Sequence, residues 1–205
     1  MPFLKRKKTK NYTYGIWKIT ENIDYLLENL NPSHKELIHI NQITHPKRKK
    51  QNISARLILN ILSNKKTYIN YNVNGAPSCV NYNYISISHS HNYCIVITSN
   101  QPTGVDIQYQ KSNIQKLSKR FINSDELIHN YQSTNELHFI WCAKEAIYKT
   151  INTCSISLKE NIYIQPVNKK MTATGYYKNQ EVIIDYQINY KQFKNYFIAI
   201  AIKLV

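Results

Sequence analysis

Twice along this chain a stretch with helical periodicity is followed by a set of strand-like segments. That repeated order restricts the fold more than any other feature. After an alternating Tyr/Ile/Trp segment at 12–19, residues 21–30 carry Ile23, Leu26, Leu27 and Leu30 at helical spacing. A second helix is expected from Ser33, with Glu36 at the capping-box position. A longer one is expected from Pro46, in its first turn, to Ser63, with an apolar stripe of Ile53, Leu57, Ile58 and Ile61. Strands are then expected at 68–73, 84–88, 93–98 and 103–109, separated by Asn, Gly, Pro and Ser. Helical patterns return at 112–121, from Ser124, and at 134–151, followed by strands at 162–164, 181–188 and 196–203. The order predicts an α+β fold of two pseudo-symmetric lobes, residues 1–100 and 101–205. Each would be a small, mostly antiparallel sheet with packed helices. Together they would form a single compact unit, with the active site where the lobes meet.

Bulk properties exclude several alternatives. A chain of 205 residues that is 42% hydrophobic and 19% charged can bury a core and is not a disordered polyampholyte. No run approaches eighteen apolar residues, so no membrane span is expected. The basic start (Lys5, Arg6, Lys7, Lys8) has no apolar stretch after it, so no secretory signal is expected and a cytoplasmic setting is the default. Cys79, Cys94, Cys142 and Cys154 form no CxxC pair, which argues against zinc; Cys94 and Cys142 read as core thiols. The formal charge of +15 attracts polyanions: nucleic acid, an anionic surface, a phosphorylated small molecule or an acidic protein.

Two segments carry the chemistry. Gly104-Val105-Asp106-Ile107-Gln108 sets one carboxylate in an apolar strand, and no other acidic residue occurs after Glu36 until Asp106 itself. Trp141-Cys142-Ala143-Lys144-Glu145-Ala146-Ile147-Tyr148-Lys149 sets a second carboxylate between two lysines on a helix. Read blandly, Asp106 pairs with a lysine and Glu145 with Lys149 as an ordinary i,i+4 surface pair. Read together, a carboxylate from each element with lysines alongside is what holds a divalent cation against a phosphorylated ligand. Magnesium is usually bound by one or two carboxylates, with water and phosphate oxygens completing its shell.

The order Gly-Val-Asp, then Trp-x-x-Lys-Glu-Ala-x-x-x-Lys, resembles the 4′-phosphopantetheinyl transferase superfamily of the surfactin-synthetase-activating type. Ile85-Ser86-Ile87-Ser88-His89-Ser90 resembles its Ile-Ser-His-Ser segment, Asn74-Gly75-Ala76-Pro77 its Gly-Lys-Pro turn, and residues 48–59 its basic helix. The resemblance implies transfer of 4′-phosphopantetheine from coenzyme A to a serine of an apo acyl or peptidyl carrier protein, with release of adenosine 3′,5′-bisphosphate. It implies Asp106 and Glu145 as ligands of Mg2+ (Mn2+ as a substitute), with Gln108 as a doubtful third, acting through water. Glu145, Lys149 and Asp106 are implied as catalytic, with Glu145 or a water on it taking the serine proton. Ser88 and His89 are implied at the 3′-phosphate of coenzyme A. Lys49, Arg56, Lys144 and Lys149 complete the expected coenzyme-binding residues, mostly as phosphate contacts, with a structural salt-bridge role for Lys144 as the alternative.

The first lobe would be the coenzyme A side and the second the metal side. The expected protein partner is an acidic carrier protein, the expected state a monomer, and no nucleic acid is expected. Gln108 stands where many members carry a second acid, and Ala76 where a phosphate-contacting lysine is common. Both departures keep open a degenerate member that binds without turnover. A basic RNA-binding module is the alternative from another class, disfavoured because carboxylates beside the lysines would repel phosphate.

Overall fold

Proline has no N–H to leave unpaired in a first helical turn, so Pro46 starts the longest helix of the chain, and Asn64, with φ of 54°, ends it. The computed structural model describes residues 3–129, 131, 133–151 and 156–204; Cys154 lies outside them. The molecule is a mixed α+β fold with antiparallel sheets and packed helices. Its chain divides into two compact units, Met1–Asn100 and Gln101–Val205.

In the first unit, β1 (Phe3–Lys8), β2 (Tyr12–Lys18), β5 (Tyr84–Ser90) and β6 (Tyr93–Ser99) form an antiparallel sheet in the order β1-β2-β6-β5. Helices α1 (Ile23–Leu30), α2 (His34–Asn41) and α3 (Pro46–Ser63) follow β2, and a two-residue hairpin of β3 (Asn70–Tyr71) and β4 (Pro77–Ser78) precedes β5. The Asn22 side chain caps α1, and α2 opens with the Ser33/Glu36 capping box. Leu26, Leu30, Ile53, Ile58 and Leu59 pack with Trp17, Cys94 and Val96 into one core. Gly15 lets α3 approach the sheet: a Cβ there would lie 2.7 Å from Ile58 Cγ2.

In the second unit the sheet order is β7-β11-β10-β9-β8, from β7 (Thr103–Tyr109), β8 (Ile162–Ile164), β9 (Thr172–Lys178), β10 (Ile183–Phe193) and β11 (Tyr196–Lys203). A short α4 (Ile114–Ser118), a 3-10 turn at Asp125–His129 and α5 (Thr134–Tyr148) lie between β7 and β8 in sequence. Helix α5 begins with a second capping box, Ser133/Glu136, and packs on β7 and β11. In each unit an early strand pairs with the last one, β2 with β6 and β7 with β11, and the longest helix packs on that pair.

Several expectations need correcting. The strand expected at 68–73 is reduced to Asn70–Tyr71, because the Asn72 side chain accepts the N–H groups of Asn74 and Ala76 and turns the chain. The helix expected at 112–121 is one short turn lacking a side-chain cap. The helix expected from Ser124 is a 3-10 turn, because Asn123 and Glu126 spend their side chains on local and cross-element bonds. Strands β1 and β9 were not expected. The first is an exposed basic edge, a place where lysines block further strand pairing. The second carries Gly175 in mid-strand, where a Cβ would lie 2.7 Å from Tyr163 O.

Candidate functional site

The site in the second unit starts from a glycine. A Cβ on Gly104 would lie 1.9 Å from the Ala146 carbonyl oxygen, so only glycine lets α5 settle this closely on β7. Asp106 is two residues on and therefore on the same face of the strand. It is 7% exposed. The close approach brings the C-terminal turn of α5 to it: Lys149 Nζ donates to Asp106 Oδ1 at 2.7 Å and to Val105 O at 3.0 Å. Glu145, one turn before Lys149, is half-buried. Burial raises the pKa of its carboxyl, the negative charge of Asp106 raises it further, and Lys149 and Lys111 oppose both. The two carboxylates therefore feel each other across the strand–helix gap.

Cys142, one turn before Glu145, is fully buried, and its S–H donates to Phe197 O with sulfur and oxygen 3.6 Å apart. Burial, then the Asp106 charge, push this thiol well up, so it is an inert wall and not a nucleophile.

Lys111 was not singled out in the sequence. Its Nζ stands 5.4 Å from the centre of the Trp141 ring, and its charge acts on Glu145. Its backbone N–H donates to His138 Nε2 at 2.8 Å, while His138 Nδ1 donates to Thr134 O at 2.5 Å. His138 is fully buried and stacked on Phe197 with ring centres 4.6 Å apart. Nothing in the local sequence marks either residue, since both roles arise from the loop after β7 folding back onto α5.

Lys144 needs correction. It is fully buried, with Nζ 2.6 Å from Glu126 Oε2 and 3.1 Å from Leu158 O. Its charge is committed inside the unit and is not presented to a phosphate, which is the structural alternative raised for it above. Gln108 donates its amide N–H to Tyr109 O at 2.9 Å, a bond that does not use its amide oxygen. No cluster of three or more His, Cys, Asp or Glu groups is present among the described residues. Asp106 and Glu145, with the Gln108 amide oxygen, are the oxygen groups that could hold a cation here. That fits magnesium, which needs only one or two carboxylates.

The first unit carries a groove of about 960 Å³ lined by His45, Arg48, Asn52, Tyr71, Gly75 and His89, among others. His89 lines this groove, whereas Ser88, its neighbour in β5, points to the opposite face by strand alternation. Arg48, not Lys49, is the helical cation on its wall. Arg56 is corrected: it is 2% exposed, and its NH1 donates to Glu36 Oε1 at 3.1 Å while Nε donates to Asn52 Oδ1. The capping-box glutamate of α2 has taken this guanidinium as a buried partner.

Residues 102–201, within the second unit, match the family model of the 4′-phosphopantetheinyl transferase superfamily. The match supports a function of the phosphopantetheinyl transferase type. A search of curated proteins finds no match to the chain. Among the described residues no helix is long and apolar enough to cross a membrane.

Proposed function

We propose that the protein is a magnesium-dependent transferase. It would move 4′-phosphopantetheine from coenzyme A to a serine of an acidic acyl or peptidyl carrier protein and release adenosine 3′,5′-bisphosphate, acting as a monomer in the cytoplasm. The observation that carries this reading is the grouping of Asp106, Glu145 and Lys149 within the matched domain.

Asp106 and Glu145 would hold the cation with their carboxylates, and Gln108 would add at most a weak oxygen. Magnesium bound there supplies charge neutralisation at the pyrophosphate and at the departing phosphate. Lys149 sits on Asp106 in the free protein; a bound pyrophosphate offers it a second anion at the same place. Lys111, beside Glu145 and Trp141, is a further cation for the same phosphates. The serine oxygen bonds to phosphorus as the bond to the nucleotide phosphate breaks, and the serine proton passes to Glu145 or to a water on it. A carboxyl whose proton affinity is raised by burial and by Asp106 suits that acceptance. In the first unit, Arg48 gives the groove a cation, His45 and His89 give it imidazole nitrogens, and Tyr71 gives it an aromatic ring, which fits a phosphorylated nucleoside. Lys49 is kept only as an outlying contact.

The test is direct. The chain is incubated with apo carrier proteins of acidic type, coenzyme A and magnesium, and the carrier mass is read. A gain of one phosphopantetheine group is expected, and Glu145→Ala should abolish it without loss of fold. A wild-type chain that modifies none of several carriers, with manganese also tried, would leave a binding protein in place of an enzyme.

A further inference from the structure

On α5, Lys144 and Glu145 leave the helix about 100° apart, so fixing the direction of one fixes the other. Lys144 is held by a network whose charged groups, its own ammonium and the Glu126 carboxylate, are buried. Glu126 Oε2 takes the Lys144 ammonium at 2.6 Å and the Asn123 N–H at 2.8 Å; Glu126 Oε1 takes the Ile164 N–H of β8 at 2.8 Å. Lys144 Nζ also donates to Leu158 O, and Asn123 Nδ2 to Lys159 O. One carboxylate thus ties together the 3-10 turn, α5 and β8. A buried ion pair is a poor source of stability, since apolar side chains of similar volume often serve as well or better. What such a pair offers is direction, because an ammonium with fixed acceptors cannot slide as a methionine can.

We propose that the Glu126–Lys144 pair sets the rotation of α5, and through it the approach of Glu145 and Lys149 to Asp106. Both are positioning residues, acting through α5 on the transfer reaction proposed above, on which reading the inference rests. Gly104 fixes the depth of the helix against β7 from the other side. Together the two contacts leave α5 neither rotation nor translation.

The experiment compares Lys144→Met, Glu126→Gln, their double variant and Lys144→Arg by steady-state kinetics with coenzyme A and a carrier protein. If the pair positions α5, each single variant lowers kcat by about ten-fold or more with KM for coenzyme A nearly unchanged. The double variant is then no worse than either single, and Lys144→Arg recovers part of the rate. A direct phosphate contact predicts the opposite split: Lys144→Met raises KM for coenzyme A and Glu126→Gln is silent. That result, or unchanged kcat in folded single variants, overturns the proposal. Crystal structures of Lys144→Met and Lys144→Arg supply a readout independent of turnover. Loss of the Lys149–Asp106 contact in Lys144→Met, with its retention in Lys144→Arg, supports positioning; an intact contact in Lys144→Met refutes it. If Lys144→Met does not fold, Glu126→Gln takes its place in both arms. If the wild-type chain transfers nothing, the transferase reading falls and the structures alone decide the role of the pair.

Discussion

At the scale of single residues, the structure separates cations that face outward from cations already spent inside. Arg56 and Lys144 belong to the second group, and the loss of Arg56 should appear first in stability. Arg56→Met leaves Glu36 buried without its partner, and a loss of about 3–5 kcal/mol is expected in urea unfolding. An Arg56→Met protein of full stability with a raised KM for coenzyme A would return this residue to the ligand. His138 gives a pH signature. Burial holds its imidazole below the ordinary value of 6.5, with Lys111 adding to the effect and the Thr134 carbonyl opposing it. Above 6.5 neither the folded nor the unfolded chain takes up this proton. Between 6.5 and the lower folded value only the unfolded chain does, so stability falls with falling pH across that window and levels off below it. His138→Gln keeps an acceptor for the Lys111 N–H and removes the titration. Its melting temperature should therefore fall less than that of the wild type between neutral pH and pH about 5; parallel curves would exclude the histidine as the cause.

At the scale of elements, the decisive contact is α5 on β7. Gly104→Ala sets a methyl carbon against the Ala146 carbonyl oxygen, a backbone atom that cannot rotate away. The helix must lift, at a cost of about 1–3 kcal/mol of overpacking. Glu145 and Lys149 would lift with it. A displacement of that order at a reacting centre is worth roughly a hundred-fold in rate. The expected result is a folded protein, by circular dichroism, whose transferase activity falls far more than its stability. An alanine variant with normal turnover would show that the fit of α5 to β7 is not what sets the site.

At the scale of the whole molecule, the +15 charge acts on encounter. On the proposed reading, opposite surface charges would steer an acidic carrier protein and be screened by salt, whereas partly buried contacts are screened less. KM for the carrier should rise about ten-fold between roughly 50 and 500 mM salt, while KM for coenzyme A changes less. A carrier KM that ignores salt would contradict an acidic partner.

The amino-acid order by itself determined the elements with strong local signals. Helix 46–63 follows from Pro46 and its apolar stripe, α2 and its cap from Ser33 and Glu36, and β7 and β11 from apolar runs bounded by turn residues. It also brought out Asp106, Glu145 and Lys149, because a lone carboxylate in an apolar strand and a carboxylate between lysines are visible without coordinates. Tertiary packing alone decided the rest. Whether a cation faces a ligand or the interior depends on which distant carboxylate meets it. Glu36 lies 20 positions from Arg56, and Glu126 lies 18 from Lys144. The closeness of α5 to Gly104, and the return of Lys111 to His138 on the same helix, likewise join residues distant in sequence. Local pattern reports what a segment can become; only the assembled unit decides which charges remain for chemistry.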